Sequence, residues 1–220
     1  MKNTRPTRGV LVAAVSTLAL TLSACGSAGS SNGSASSSTA TRASGSAGGA
    51  VPAAADVPFG PGCAAVPAEG AGSFTGMAAA PVVTAASGNP ALSTLVQAVT
   101  AANLGDSLNT QQNITVLAPA NPAFEAVPAG ALQALLADNA QLTAMLTHHV
   151  IQGRLTPGGL AGTHTTLNND KVTIVGSGAN FTIPGEGTVA GTEASVICGN
   201  VQTANATVYI IDQVLKPAAP

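Results

Sequence analysis

From residue 89 onward, apolar side chains recur first at helical and then at strand spacing. After Asn89-Pro90, Leu92, Leu95, Val96 and Val99 fall at i, i+3, i+4 and i+7, which predicts a helix with Pro90 in its first turn. Leu104 and Leu108 mark a second, short helix beside Gly105 and Asp106. Ile114 to Ala118 is a strand candidate stopped by Pro119. Ala129 to Ala137 places Leu132, Leu135 and Leu136 on one face, and Ala140 to His149 repeats the device with Leu142, Met145 and Leu146. Then the period changes. Thr163–Leu167 and Lys171–Val175 flank the turn-rich Asn168-Asn169-Asp170, a hairpin pattern, and 180–183, 194–197 and 207–215 read as further strands. In the last of these, Val208 and Ile210 alternate with Tyr209 and Ile211, so both faces should be buried. Helices first and strands afterwards is an α+β signature.

The first fifty residues carry no such pattern. Lys2, Arg5 and Arg8 precede a thirteen-residue apolar run, Val10 to Leu22. That run is shorter than the roughly 20 residues of a permanent membrane helix and suits a secretory signal. It ends in Leu22-Ser23-Ala24-Cys25, which looks like a lipobox: small residues before the cleaved bond and a thiol after it to take the diacylglycerol. The plainer alternative is an ordinary signal peptide with Cys25 incidental. Residues 1–24 are thus expected to be a lipoprotein signal peptide and 25–56 a Ser/Gly/Ala-rich tether, too poor in apolar residues to fold. Residues 57–76, rich in proline, read as an irregular arm, and 77–217 as the folded domain.

Composition narrows what such a domain could bind. Charged residues make up 7% of the chain and aromatic residues 2%, with no tryptophan and a single tyrosine. A nucleic-acid partner would need a basic surface, usually with stacking aromatics, and neither is present. The full chain has a net charge of −2, but three of its seven cations and none of its acids lie in the leader. After residue 24, Arg42, Arg154, Lys171 and Lys216 face nine acids, a net −5 that disfavours electrostatic attachment to anionic lipid. Membrane contact is therefore expected only through acyl chains on Cys25. With Cys25 assigned to the lipobox, Cys63 and Cys198 remain, and an even pair in an exported protein reads as a disulfide. Two free thiols are the alternative.

Two stretches resemble the paired signatures of the fasciclin-type domain. Ile114-Thr115-Val116-Leu117-Ala118-Pro119-Ala120-Asn121-Pro122-Ala123-Phe124 is similar to its strand-turn-helix opening, and Asn200 to Pro217, containing Thr207-Val208-Tyr209-Ile210-Ile211-Asp212, to its closing strand. Between them, His148-His149-Val150 resembles the family's central Tyr-His segment, with His148 where the family usually has Tyr. With the lipobox and the cysteine pair, the chain looks like fasciclin-domain surface lipoproteins of actinobacteria and is similar to mycobacterial secreted and lipid-anchored antigens of this kind. The resemblance implies an α+β fasciclin-like fold, a β-wedge or sandwich flanked by short helices in the N-terminal half. It also implies adhesion to extracellular matrix or cell-surface receptors, with Asn121, His148, His149, Thr207, Tyr209 and Asp212 as candidate adhesion or motif residues.

Residue by residue, the chemistry is sparse. Adjacent His148 and His149 near a helix end point about 100° apart and cannot face one ion. His149 is expected in the core with a backbone hydrogen bond, and His148 exposed. Asp212, on an apolar strand, reads as an acceptor tying strand to loop, and Asn121 as a turn residue capping the helix after it. Outside the Ser/Gly/Ala-rich tether, the sequence contains no nucleophile elbow, phosphate loop or metal-ligand spacing. The expectation is a non-enzymatic adhesion module without metal or cofactor, on the outer face of the cytoplasmic membrane or cell surface or shed from it. The alternative is a cell-envelope protein binding a small ligand, lipid or glycan on the same fold. With few aromatic or arginine anchors, any adhesive contact should be weak and multivalent.

Overall fold

The computed structural model describes residues 57–217; the expected signal peptide, Cys25 and the tether lie outside them. Eight short helices and seven strands follow one another in that span. In α1 (Phe74–Ala78) the N-terminus is capped by Ser73, whose Oγ accepts from Gly76 N at 3.1 Å. Next come α2 (Val82–Ser87), α3 (Ser93–Ala101) and α4 (Gly105–Thr110). The α3 entry is a 3-10 turn over Pro90–Leu92, where Asn89 Oδ1 accepts from Ala91 N at 3.0 Å. Its buried face is Leu95, Ala98 and Val99, while Val96, expected there, is half-buried.

The strand β1 (Ile114–Pro119) leads into α5 (Asn121–Glu125), α6 (Ala129–Ala137) and α7 (Asn139–His148). Asp138 caps α7, accepting from Ala140 N at 2.9 Å and Gln141 N at 3.1 Å. Leu142, Met145 and Leu146 form its buried face, as their spacing requires. After β2 (Val150–Gln152) and α8 (Pro157–Leu160) the chain is β: β3 (Gly162–Thr165), β4 (Lys171–Ser177), β5 (Asn180–Ile183), β6 (Ala194–Gln202) and β7 (Ala206–Ile211).

The strands form one seven-stranded sheet in the order β2-β1-β7-β6-β5-β4-β3, rather than the two packed sheets of a sandwich. Neighbouring strands are antiparallel except β1 and β7, which run parallel. The sheet curls until its ends meet, at a bridge between Ile151 and Thr166 and a bond from Leu167 N to Val150 O at 2.7 Å. This near-closure explains why β1 and β7 are buried on both faces. One set of side chains (Leu117, Tyr209, Ile211) packs inside the curl with Phe181, Ile174 and Leu215. The alternate set (Val116, Val208, Ile210) packs outward against Met77, Leu95, Phe124 and Leu146 from the helices.

Three boundaries differ most from the sequence reading. Helix α1 begins at Phe74, inside the expected arm. Strand β6 runs on to Gln202, with register shifts against β7 between Val196 and Val201. Strand β7 stops at Ile211, because the Asp212 carboxylate turns to accept from Ser195 N at 2.6 Å, and Leu215 makes only an isolated bridge to Thr188.

The arm itself is docked. Phe59 and Gly199 exchange backbone bonds of 3.1 and 2.8 Å, and Cys63 is joined to Cys198 with Cα atoms 4.8 Å apart. A Cβ on Gly199 would sit 2.4 Å from the Phe59 ring, so only glycine allows this approach. The ring continues into the sheet interior, 5.9 Å from Phe181 and 6.3 Å from Tyr209 between centroids.

Candidate functional site

The C-terminal end of α7 carries the two histidines into different surroundings, their rings 88° apart. His149 is enclosed in the core: Nδ1 lies 2.8 Å from Met145 O and Nε2 accepts from Leu215 N at 3.0 Å. Those two contacts require the neutral ring protonated on Nδ1. Burial outweighs the helping bond to Met145, and with the neighbouring His148 holds the His149 pKa down at about 4. This matches the expectation for His149.

His148 does not lie on the surface as expected. Its side chain is buried because the Thr166–Asp170 turn folds over it, placing Asp170 Oδ1 2.7 Å from His148 Nδ1. Burial pushes the Asp170 carboxyl up, but hydrogen bonds from Thr166 Oγ1 and Asn168 Nδ2, and the contact with His148, bring it down to about 2. The turn is shaped by Asn169 at φ +62°.

The closing strand is equally enclosed. Tyr209 has no exposed surface; its hydroxyl donates to Leu155 O at 3.0 Å, and burial pushes the phenol pKa well above its ordinary value. Thr207 is buried with its Oγ1 3.4 Å from Gln202 Oε1. Half-buried Asp212 is the strand-tying acceptor expected of it. Asn121 caps a different helix from the one expected: Oδ1 accepts from Thr94 N at 3.0 Å and Nδ2 donates to Pro90 O at 2.8 Å, pinning α5 to the start of α3. The reason is that Ala120 occupies the α5 cap position and Asn121 is already helical. Of the six candidate adhesion residues, four (His148, His149, Thr207 and Tyr209) are therefore buried. They build the fold.

Several organising residues were not among the candidates. Asn205, buried in the β6–β7 turn, accepts from Val82 N at 2.8 Å through Oδ1 and donates to Leu108 O and Gln111 O, each at 2.8 Å. Thr115 donates to Gly153 O at 2.7 Å and accepts from Leu155 N at 2.8 Å. Arg154 reaches Gln202 Oε1 at 2.9 Å and Thr203 O at 3.0 Å. A run of polar side chains at turns was the available signal, as in Asn168-Asn169-Asp170, but it does not say which element each side chain serves.

Two recesses flank the His148–Asp170 contact. One, of about 370 Å³, is lined by His148, Lys171, Thr173, Ile183, Glu186 and Lys216. The other, of about 850 Å³, lies between α6, α7 and the 168–170 turn, with Ala134, Leu135, Met145 and Val189 on its walls. Lys216 and Pro217 border both. Among the described residues, no three His, Cys, Asp or Glu side chains are grouped to hold a metal, and no helix is long and apolar enough to cross a membrane.

A model of the fasciclin domain matches residues 90–217. The chain is 43% identical over 176 residues to the immunogenic protein MPB70 of Mycobacterium bovis, covering 76% of this chain and 86% of that one. It is also 43% identical over 174 residues to the cell surface glycolipoprotein MPB83 of the same species, covering 76% and 74%. The solved FAS1 domain pair of the insect cell adhesion molecule fasciclin I superposes with a TM-score of 0.51 at 16% identity. That match covers 64% of this chain and about half (52%) of the insect one, and it shows the fold alone.

Proposed function

Because the chain belongs to the fasciclin-domain family, we propose that it is an exported, non-enzymatic module that attaches cells to extracellular-matrix or cell-surface proteins. Acyl chains on Cys25 would present it from the membrane. The relative named a cell surface glycolipoprotein supports a location at the envelope.

The observation that carries adhesion is the outward face of the β3–β4 hairpin. Thr163, Thr165, Lys171 and Thr173 alternate outward while Val172 and Ile174 are buried, and Val175 continues the outward row at 46% exposure. Thr163 and Thr173 face one another across the strands with hydroxyls 3.1 Å apart. A hydroxyl-rich face with one cation, Lys171, and one bare aliphatic side chain offers broad contact and few strong anchors, as weak multivalent adhesion requires. The full-length chain immobilised at high density should bind fibronectin, collagen or host-cell membranes saturably, and V175E/T163E should lose that binding while keeping the same melting temperature. Equal binding by the variant would refute the assigned face, and no saturable binding to any of these would refute adhesion.

A second reading, an envelope protein for a small ligand, lipid or glycan, is favoured by one observation. The 850 Å³ recess between α6, α7 and the 168–170 turn falls within the range of small-molecule sites, about 300–1,000 Å³.

A further inference from the structure

Between residues 57 and 217 the protein has three side chains of fixed positive charge, and two of them share one recess. Arg154 is held by the β6–β7 turn. Lys171 and Lys216 both border the 370 Å³ cavity, and among the described residues neither ammonium has a carboxylate within 4.0 Å. Of the acids that line the two recesses, Asp170 is engaged by Thr166, Asn168 and His148, and Glu186 lines the smaller cavity with both lysines but forms no ion pair with either among the described residues. In a domain where acids outnumber lysine and arginine, two unneutralised ammoniums at one opening mark a local reversal of the field. His148 lies with them, its ring fixed through Nδ1 by Asp170.

From this cationic opening, Lys216 and Pro217 lead directly to the larger recess, whose walls are mostly apolar: Ala131, Ala134, Leu135, Ala144, Met145 and Val189. We propose that the two recesses form one binding site for an amphiphile with an anionic head, a carboxylate or a phosphate ester on an alkyl chain. The head lies between Lys171 and Lys216 beside His148, and the chain lies along α6 and α7. The proposal rests on the small-ligand reading and not on adhesion. It adds to that reading the sign of the head and the direction of the tail. A neutral glycan would leave both ammoniums without counter-charge, and a cationic ligand would be repelled.

The test uses the full-length chain with its disulfide intact, and calorimetry below the micelle concentration. The probes are dodecanoate, dodecyl phosphate, dodecanol and dodecyltrimethylammonium. The expected result is one saturable site for dodecanoate or dodecyl phosphate; the tighter of the two identifies the head. Dodecanol should bind about tenfold more weakly, and the cation not at all. K171Q/K216Q should lose about the same tenfold for the anionic probes and nothing for dodecanol, as two partly screened ion pairs predict. Ala134 is exposed on α6, so A134W fills the recess without entering the core, and it should abolish binding with the melting temperature unchanged. Equal affinity for dodecanoate and dodecanol, or an unaltered K171Q/K216Q, would overturn the anionic head while leaving a small-ligand site standing. Unchanged binding by A134W, or no saturable binding of any probe, would overturn the site itself.

Discussion

Acidification should weaken this fold through one buried histidine. His149 titrates near 6.5 in an unfolded chain and at about 4 in the folded protein, where burial is the main cause. As pH falls below 6.5, the unfolded chain takes up the proton first, so stability is full above 6.5 and drains away toward 4. The slope approaches 1.4 kcal/mol per pH unit where only the unfolded form is protonated. Integrated from neutrality, the loss is about 2 kcal/mol by pH 5 and about 3 kcal/mol once the folded protein also titrates. Protonation would put a donor on Nε2 against Leu215 N–H, so the bond closing the C-terminal segment breaks at the same moment. Other ionisable groups also contribute to the pH dependence of folding, and the measurement has to subtract them. H149Q does so, because a glutamine amide can donate to Met145 O and accept from Leu215 N without titrating. Urea unfolding of both proteins at pH 7.5 and 5.0 should show the wild type losing about 2 kcal/mol more than H149Q. A difference below about 0.5 kcal/mol, or one of opposite sign, would refute the neutral, Nδ1-protonated assignment.

Asn205→Ala leaves Val82 N, Leu108 O and Gln111 O without their partner and should cost about 3 kcal/mol in urea unfolding, with water recovering part of the loss. Asn205→Asp keeps the acceptor for Val82 but turns an anion toward two carbonyl oxygens, so it should be unstable at neutral pH and partly recover when acidified. Gly199→Ala should lower the melting temperature sharply, and Phe59→Ala in the same chain should relieve the clash but not restore the lost packing. The mature protein should weigh two hydrogens less than its reduced form, and Cys63→Ser/Cys198→Ser should lose up to about 5 kcal/mol, the chain-entropy value for a 135-residue loop.

Where the sequence alone was enough, the reason was periodicity. Met145 and Leu146 had to face a core because of their spacing with Leu142, and both-sided burial of β7 followed from Val208 to Ile211 all being apolar or aromatic. What escaped it was long-range. Nothing local to His148 says that a turn some twenty residues later will fold a carboxylate over it; an adjacent pair of histidines at a helix end reads as one in and one out. Asn121 looked like a cap for its own helix, and only the packing of α5 on α3 turns its side chain toward Thr94. Single-sheet closure was hidden too, because the bridge between Ile151 and Thr166 depends on the accumulated twist of all seven strands. The larger recess bordered by Lys216 is assembled from α6, α7, the 168–170 turn, the loop at Val189 and the last described residues, five segments that share no motif.

The bond between Cys63 and Cys198 also decides how the protein carries load. Tension entering from the N-terminal side passes along the short arm through Phe59 and, at Cys63, crosses directly to β6 in the middle of the sheet order. If the chain is pulled between its two ends, only residues up to 63 and from 198 onward can extend. Everything between, including all eight helices, β1 and the β3–β4 hairpin, lies in a covalent loop that the pull cannot lengthen. A domain wired in this way can yield from β7 to the Lys216 edge of its recesses under shear while its threonine face stays inside the closed loop, and reduction of a single bond would convert it from a rivet into a spring.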